Sequence, residues 1–286
     1  MLLLKAIDGF KKHLEYKQSS SETIKRYMKE MKYINRYLTK EVNGMVYIES
    51  ITANQLQEFL KTKIDRGLKA TTINQTIYIL RSFYNYLVKK DYVSKNIATK
   101  LEILKTPTTE REYLTRKEFD TLLENINHSI IKTIAITIFN TGLRVSEIVN
   151  LKLSDVNLDT NLIKIRHGKG NKDRTVPINT KLKDILIEYL DDIRPIVTTD
   201  NFFATQKTGG ISSAYINRVL KTAASDGDIE KNVSAHILRH SFASYLLKQD
   251  VNLIEIQKLL GHNSLKTTAI YSHTNMDQLQ KAVNVF

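Results

Sequence analysis

The chain has 286 residues, 42% apolar and 26% charged, which is enough for two domains with separate cores. It has no cysteine, so disulfide and thiol chemistry are excluded. No apolar run approaches membrane-spanning length, and Met1–Lys5 is too short for a signal segment. A soluble, cytoplasmic protein without membrane contact is therefore expected. The net charge of +13 is uneven: residues 1–105 hold 20 Lys/Arg against 10 Asp/Glu, and the rest hold 23 against 20. A basic first half suits a polyanion, because neutralising phosphates releases condensed counterions.

Four helices are predicted in the first hundred residues. The first covers about 2–17. A second opens at a Ser19/Glu22 capping box and carries Ile24, Tyr27, Met28, Met31, Ile34, Tyr37 and Leu38 at helical spacing. Thr52 and Gln55 open a third, with Leu56, Phe59, Leu60 and Ile64 on one face and Gly67 as its stop. Thr72 and Gln75 open a fourth, with Ile73, Ile77, Leu80, Tyr84 and Leu87. Pro107 among threonines then marks an extended linker. The predicted organisation is a helical domain over 1–105, a linker over 106–112 and a second domain over 113–286.

In that second domain Thr115 and Glu118 cap a helix, and another runs from about Ile130 to Asn140 before Thr141-Gly142. A short helix begins near Arg144. Residues 162–166 and 174–178 change period to that of two strands, with 167–173 as the turn between them. After Lys181 the pattern is helical to the end. The fold class is mainly α with a small β-sheet.

The residues best suited to chemistry lie late in the chain: His236-Ile237-Leu238-Arg239-His240, then Leu260-Gly261-His262 and Tyr271. Breaking a phosphodiester without a metal requires a nucleophile, charge stabilisation on the non-bridging oxygens and a proton for the leaving alkoxide. Arginine suits the oxygens because its planar fork binds them at two points and stays charged. Arg239 and Arg144 are the candidates. Lys169, on the predicted hairpin, can reach a leaving oxygen; Tyr271 is the candidate nucleophile and His236 a proton shuttle. No spaced carboxylate cluster suggests a two-metal site.

These segments resemble the tyrosine recombinases of the lambda-integrase family, and within it the compact Xer-like members. The resemblance rests on Thr141-Gly142-Leu143-Arg144-Val145-Ser146-Glu147, Gly168-Lys169-Gly170-Asn171-Lys172-Asp173-Arg174-Thr175-Val176-Pro177, the His236/Arg239/His240 segment, Gly261-His262 and Tyr271, in that order and spacing. Residues 69–87 also resemble the last long helix of the family's core-binding domain. The resemblance implies a four-helix SAM-like core-binding domain ahead of an α+β catalytic domain. It implies six catalytic positions: Arg144, Lys169, His236, Arg239, His262 and Tyr271.

It further implies a 3′-phosphotyrosyl intermediate, no cofactor and no metal. The implied partner is double-stranded DNA with paired half-sites, bound by a dimer per site and a homotetramer across two sites, with exchange through a Holliday junction. Accessory proteins or a second recombinase remain open, as does the choice among dimer or cointegrate resolution and integration or excision. The absence of an extra N-terminal arm-binding domain disfavours a phage integrase of the lambda kind. The rival readings are a type IB topoisomerase, which relaxes DNA with the same nucleophile, and a DNA-binding module whose catalysis has decayed.

Several side chains have two readings. Glu147 is either a catalytic carboxylate or, preferably, the group that orients a neighbouring arginine or histidine. His240 either places a nearby group or packs on its helix. A zinc pair from His236 and His240 is disfavoured because no glutamate follows the first histidine. Lys172 and Arg174 are either solvated turn charges or phosphate contacts. The resemblance implies that two helices of the first domain enter the major groove, the candidates being those near 20–40 and 72–90, where Arg81 either reads guanine or holds phosphate. Met276, Leu279, Val283 and Phe286 share a helical face that either packs on its own domain or docks on a neighbouring protomer.

Overall fold

In the computed structural model the chain divides into two compact units, Met1–Thr109 and Glu110–Phe286. The structure describes residues 1–106, 112–166 and 173–261. Most of the expected linker (107–111), most of the expected hairpin turn (167–172) and everything from His262 onward, including the expected tail helix, lie outside the described residues.

The first unit holds α1 (Leu3–Tyr16), α2 (Ser21–Glu41), α3 (Ala53–Asp65) and α4 (Ala70–Lys89) around one apolar core. Phe10 meets Phe83 edge to face, with centroids 5.3 Å apart, at its centre. Thr52 and Gln55 form the expected capping box of α3. Elsewhere the caps differ from expectation. Ser20, not Ser19, caps α2 by accepting the Thr23 N–H at 3.2 Å. Helix α4 starts ahead of Thr72, with Lys69 as its uncapped N-terminus.

Ile64, expected in the core, is 49% exposed, while its neighbour Lys63 is buried. The Lys63 ammonium reaches the Glu30 carboxylate at 2.6 Å beneath the Phe59 and Tyr33 rings, and that ion pair turns the face of α3 by one residue. Arg81 also turns inward: Nε and one terminal nitrogen donate to the carbonyls of Ala98 (3.3 Å) and Leu101 (2.6 Å). It thereby ties the segment that follows α4 back onto that helix.

The second unit is built on α6 (Ser129–Thr141), almost wholly buried through Ile130, Ile131, Ile134, Ala135, Ile138 and Phe139. Around it lie α5 (Arg116–Glu124), α7 (Val145–Val149), α8 (Thr180–Glu188), α9 (Ser213–Asp226), α10 (Ala235–Lys248) and α11 (Leu253–Leu260). Thr115 and Glu118 form the expected capping box of α5. Helix α10 packs along α6, with Phe139 against Tyr245 at 5.5 Å.

The sheet is antiparallel, with β1 (Val156–Asn157), β2 (Leu162–Ile165) and β3 (Arg174–Pro177) in that order. Strand β1 has only two residues, too few to show a period in the sequence. Helix does not run unbroken after Lys181: α8 widens into a π-helical turn, Tyr189–Ile193, and residues 194–212 form an irregular loop. Arg194 organises that loop by donating to the carbonyls of Thr199, Asn201 and Phe202.

Candidate active site

Four elements bring the site together: the turn from α6 into α7, the start of β3, the first turns of α10 and the last turn of α11. Helix α6 ends because Gly142 adopts a left-handed conformation, φ 65°. A Cβ there would also stand 2.4 Å from Phe242 of α10 and 2.7 Å from Leu260 of α11. Glycine at this turn therefore admits both helices.

Two residues on, Arg144 is the N-cap of α7, and Glu147 is the third residue of that helix. The Glu147 carboxylate accepts the Arg144 backbone N–H at 2.8 Å and the Arg144 guanidinium at 2.8 Å. It also receives a two-point fork from Arg174, each N–H···O contact 2.8 Å. Arg239 stands 3.9 Å from its second oxygen. Burial alone would raise the Glu147 carboxyl; the hydrogen bonds and charge of Arg174, with those of Arg144, overcome it and hold the pKa at about 2. Glu147 thus bonds the side chains of both Arg144 and Arg174.

The three arginines share a second set of partners. Arg174 Nε donates to the Leu259 carbonyl (3.0 Å), Arg239 to that of Leu260 (2.7 Å) and Arg144 to that of Gly261 (3.1 Å). Helix C-termini leave such carbonyls without intrahelical partners and slightly negative. Three consecutive ones are here satisfied by three cations. Arg239 also donates to the Gly142 carbonyl at 2.6 Å, which links α10 to the α6–α7 turn. A small apolar cluster of Ala243, Ile256 and Leu260 also joins α11 to α10.

Three guanidinium groups around one carboxylate leave an excess of two positive charges. Arg239 is buried and Arg174 partly so, with 3% and 12% of their side chains exposed, and Arg144, at 24%, is the most open to an incoming anion. Arg144 donates two of its five N–H groups to these partners.

Ser234 caps α10, which then presents His236, Arg239 and His240. The Nε2 atoms of His236 and His240 lie 2.8 Å apart, with the rings edge to face. One ring must donate and the other accept, so the contact holds one proton between them. His236 is exposed and His240 is buried. His240 therefore pairs with the more exposed His236 through Nε2.

Arg144, Glu147, Arg174 and Arg239 converge, and His236 and His240 pair on the helix that carries Arg239. Arg174 is not the solvated turn charge that was one of its two readings. Its position was legible in part, since strand alternation puts it on the same face of β3 as buried Val176. The carbonyls of Gly142 and Leu259–Gly261 carried no sequence signal beyond the two glycines. Lys169, Lys172, His262 and Tyr271 lie outside the described residues.

Residues 112–278 match the phage integrase family, and residues 7–91 match the N-terminal SAM-like domain of phage integrases. The chain belongs to the phage integrase family and is a site-specific tyrosine recombinase. It is 32% identical over 276 residues to the tyrosine recombinase XerD of Staphylococcus saprophyticus, covering 93% of this chain and 92% of that protein. Among solved structures it resembles the XerH site-specific recombinase bound to a palindromic difH substrate, at 26% identity and a TM-score of 0.74, over 94% of this chain and 81% of that one. A lambda integrase dimer bound to a COC′ core site shares the fold, with a TM-score of 0.78 at 20% identity over 93% of this chain and 97% of that one.

Proposed function

We propose that this chain cleaves and rejoins double-stranded DNA at paired recombination half-sites, with Tyr271 as the nucleophile. Its phenol oxygen attacks the scissile phosphorus, and the phosphorus–O5′ bond breaks. The 3′ phosphate is then esterified to the tyrosine, and the 5′ oxygen leaves as a hydroxyl. A 5′-hydroxyl from the partner strand reverses the step and frees the tyrosine. One phosphoester is exchanged for another at each stage, so neither a nucleotide nor a metal cofactor is required.

The observation that carries this reading is the arginine cluster around Glu147. It concentrates two excess positive charges where Arg144 and Arg239 can hold the non-bridging oxygens. His236, backed by His240, moves the tyrosine's proton; Lys169 delivers one to the leaving oxygen; and His262 completes the six positions. Lys172 is a phosphate contact beside that lysine.

In the first unit, α2 offers an exposed cationic face of Lys25, Arg26, Lys29, Lys32 and Arg36, and α4 offers Thr71, Gln75 and Tyr78. These are the surfaces assigned to DNA. Arg81, already bonded to its own chain, acts behind them. A dimer on each site and a homotetramer across two sites, passing through a Holliday junction, follow from the pairwise chemistry. The DNA-bound lambda integrase dimer is in keeping with this arrangement. Such exchange serves dimer or cointegrate resolution, or integration and excision of a mobile element.

The test begins by selecting the preferred site from a randomised duplex pool, then incubating the chain with a nicked form of that duplex in EDTA. A covalent protein–DNA adduct that Tyr271→Phe abolishes is expected. Wild type without an adduct, or Tyr271→Phe with an equal one, would refute the mechanism. Recombination between two plasmid sites, rather than relaxation alone, excludes a topoisomerase.

A further inference from the structure

Arg174 belongs to none of the six proposed catalytic positions, yet it is the side chain that binds both halves of the arginine cluster. Its fork takes both oxygens of Glu147, and its Nε takes the Leu259 carbonyl in the last turn of α11. Every nitrogen of the guanidinium therefore has a partner within its own domain. The stem is equally constrained. Gly261 adopts φ 61°, and a Cβ built there would stand 2.9 Å from Arg174 Cδ and 3.1 Å from Cζ. In the sequence Lys169 lies five residues before Arg174, and His262 directly follows Gly261. Arg174 thus stands where the β3 end of the hairpin, the arginine-binding carboxylate and the helix leading to His262 meet.

The electrostatics give the contact a purpose. By occupying both oxygens of Glu147, Arg174 absorbs much of the carboxylate's charge. Without it, that charge would fall on Arg144 and Arg239 and pull both guanidinium groups out of register with the reacting phosphate, which slows the chemical step rather than DNA binding. Arg174 also holds the last turn of α11 at a fixed distance from Arg144. Sub-ångström placement of this kind governs reaction rate more than binding.

We propose that Arg174 is a positioning residue for strand cleavage, bridging Glu147 and the C-terminal turn of α11 without touching DNA. The inference rests on the tyrosine-cleavage reading above. The sequence-level alternative, a phosphate contact, makes a different prediction in the same assay.

The experiment compares wild type, Arg174→Gln, Arg174→Lys and Tyr271→Phe on the selected nicked duplex. It measures the saturating single-turnover rate of adduct formation, the half-saturating DNA concentration and the dependence of affinity on salt. Both Arg174 variants should lose cleavage rate by about 30- to 100-fold, since misplacing reacting groups costs that order. Lysine should not rescue, because one ammonium cannot span the carboxylate and the carbonyl together. The half-saturating concentration and the salt slope should stay at wild-type values. Cleavage by Arg174→Gln within about threefold of wild type overturns the proposal. So does a salt slope lowered by about 0.9, the signature of a lost phosphate contact. Loss of cooperative melting in both variants also overturns it, by making Arg174 a folding residue. Absence of an adduct from wild type itself would instead refute the cleavage reading.

Discussion

Arg174 and Glu147 meet in a two-point fork, each N–H···O contact 2.8 Å, at the centre of the catalytic unit. Their side chains are 12% and 8% exposed, so the pair is shielded from water and salt. A buried carboxylate facing three arginines cannot be removed without leaving uncompensated cations.

This makes the carboxylate's protonation a stability switch. Its folded pKa, about 2, lies below the ordinary 4.5, so the stabilisation is fully present above about pH 4.5 and is lost as pH falls toward 2. Roughly 3 kcal/mol is at stake, taking about 1.4 kcal/mol per pKa unit. Denaturant unfolding of wild type and Glu147→Gln should differ by at least that amount at pH 7, and the gap should narrow below pH 4.5. A gap that does not change with pH would contradict the assignment.

Gly261→Ala should couple backbone strain to a side-chain clash. The left-handed φ costs about 1–2 kcal/mol for an L-residue. The Arg174 stem, 2.9 Å from the new Cβ, must also move. Gly67 is the natural comparison, with φ 71° and nothing within 4 Å of a Cβ. Thermal melting should show Gly67→Ala losing only the backbone cost, while Gly261→Ala loses more and also slows adduct formation.

In the first unit, Lys63 and Glu30 form a buried ion pair at 2.6 Å, with Thr76 as a further donor to the carboxylate. Removing one partner leaves a charge without compensation, at a cost of about 3–5 kcal/mol, whereas removing both costs less. Lys63→Met alone should therefore melt well below wild type, and Lys63→Met with Glu30→Gln should recover part of the loss. Equal, additive losses would mean that the two groups do not depend on each other.

Tyr84 offers the opposite sign. Its hydroxyl is buried without a hydrogen-bond partner among the described residues, and burial raises its pKa. Tyr84→Phe removes an unsatisfied polar group while keeping the ring. It should stabilise the first unit by about 1 kcal/mol, read as a higher denaturant midpoint at unchanged slope.

Much of this molecule was legible in its residues, and the exceptions share a cause. Helical spacing placed α1–α4 and α6, and a change of period placed the strand pair, because such periods are local properties of the chain. Ile64 and Lys63 exchanged places because an ion pair to Glu30, on another helix, outweighed the stripe. Ser20 took the cap from Ser19, a one-residue choice that side-chain pattern alone does not resolve. The loop over 194–212 was not predicted even though Pro195 and the left-handed Gly209 mark turns in it; Arg194 then organises it by donating to three of its carbonyls.

The sequence by itself determined the family and the inventory of the site: Arg144, Glu147, Arg239 and His236 stand in an order and spacing that chain position alone reveals. It also determined that Gly142 ends its helix, since left-handed backbone is a local property, whereas the matching role of Gly261 emerged only in the structure. Only the tertiary structure decided what those residues hold. That Arg174 faces Glu147, 27 residues away, and that three arginines grip three successive carbonyls of α11, depend on β3, α7, α10 and α11 arriving at one place. Long-range hydrogen bonds of this kind leave no periodic trace in a chain, because their spacing is set by packing and not by the repeat of any one element.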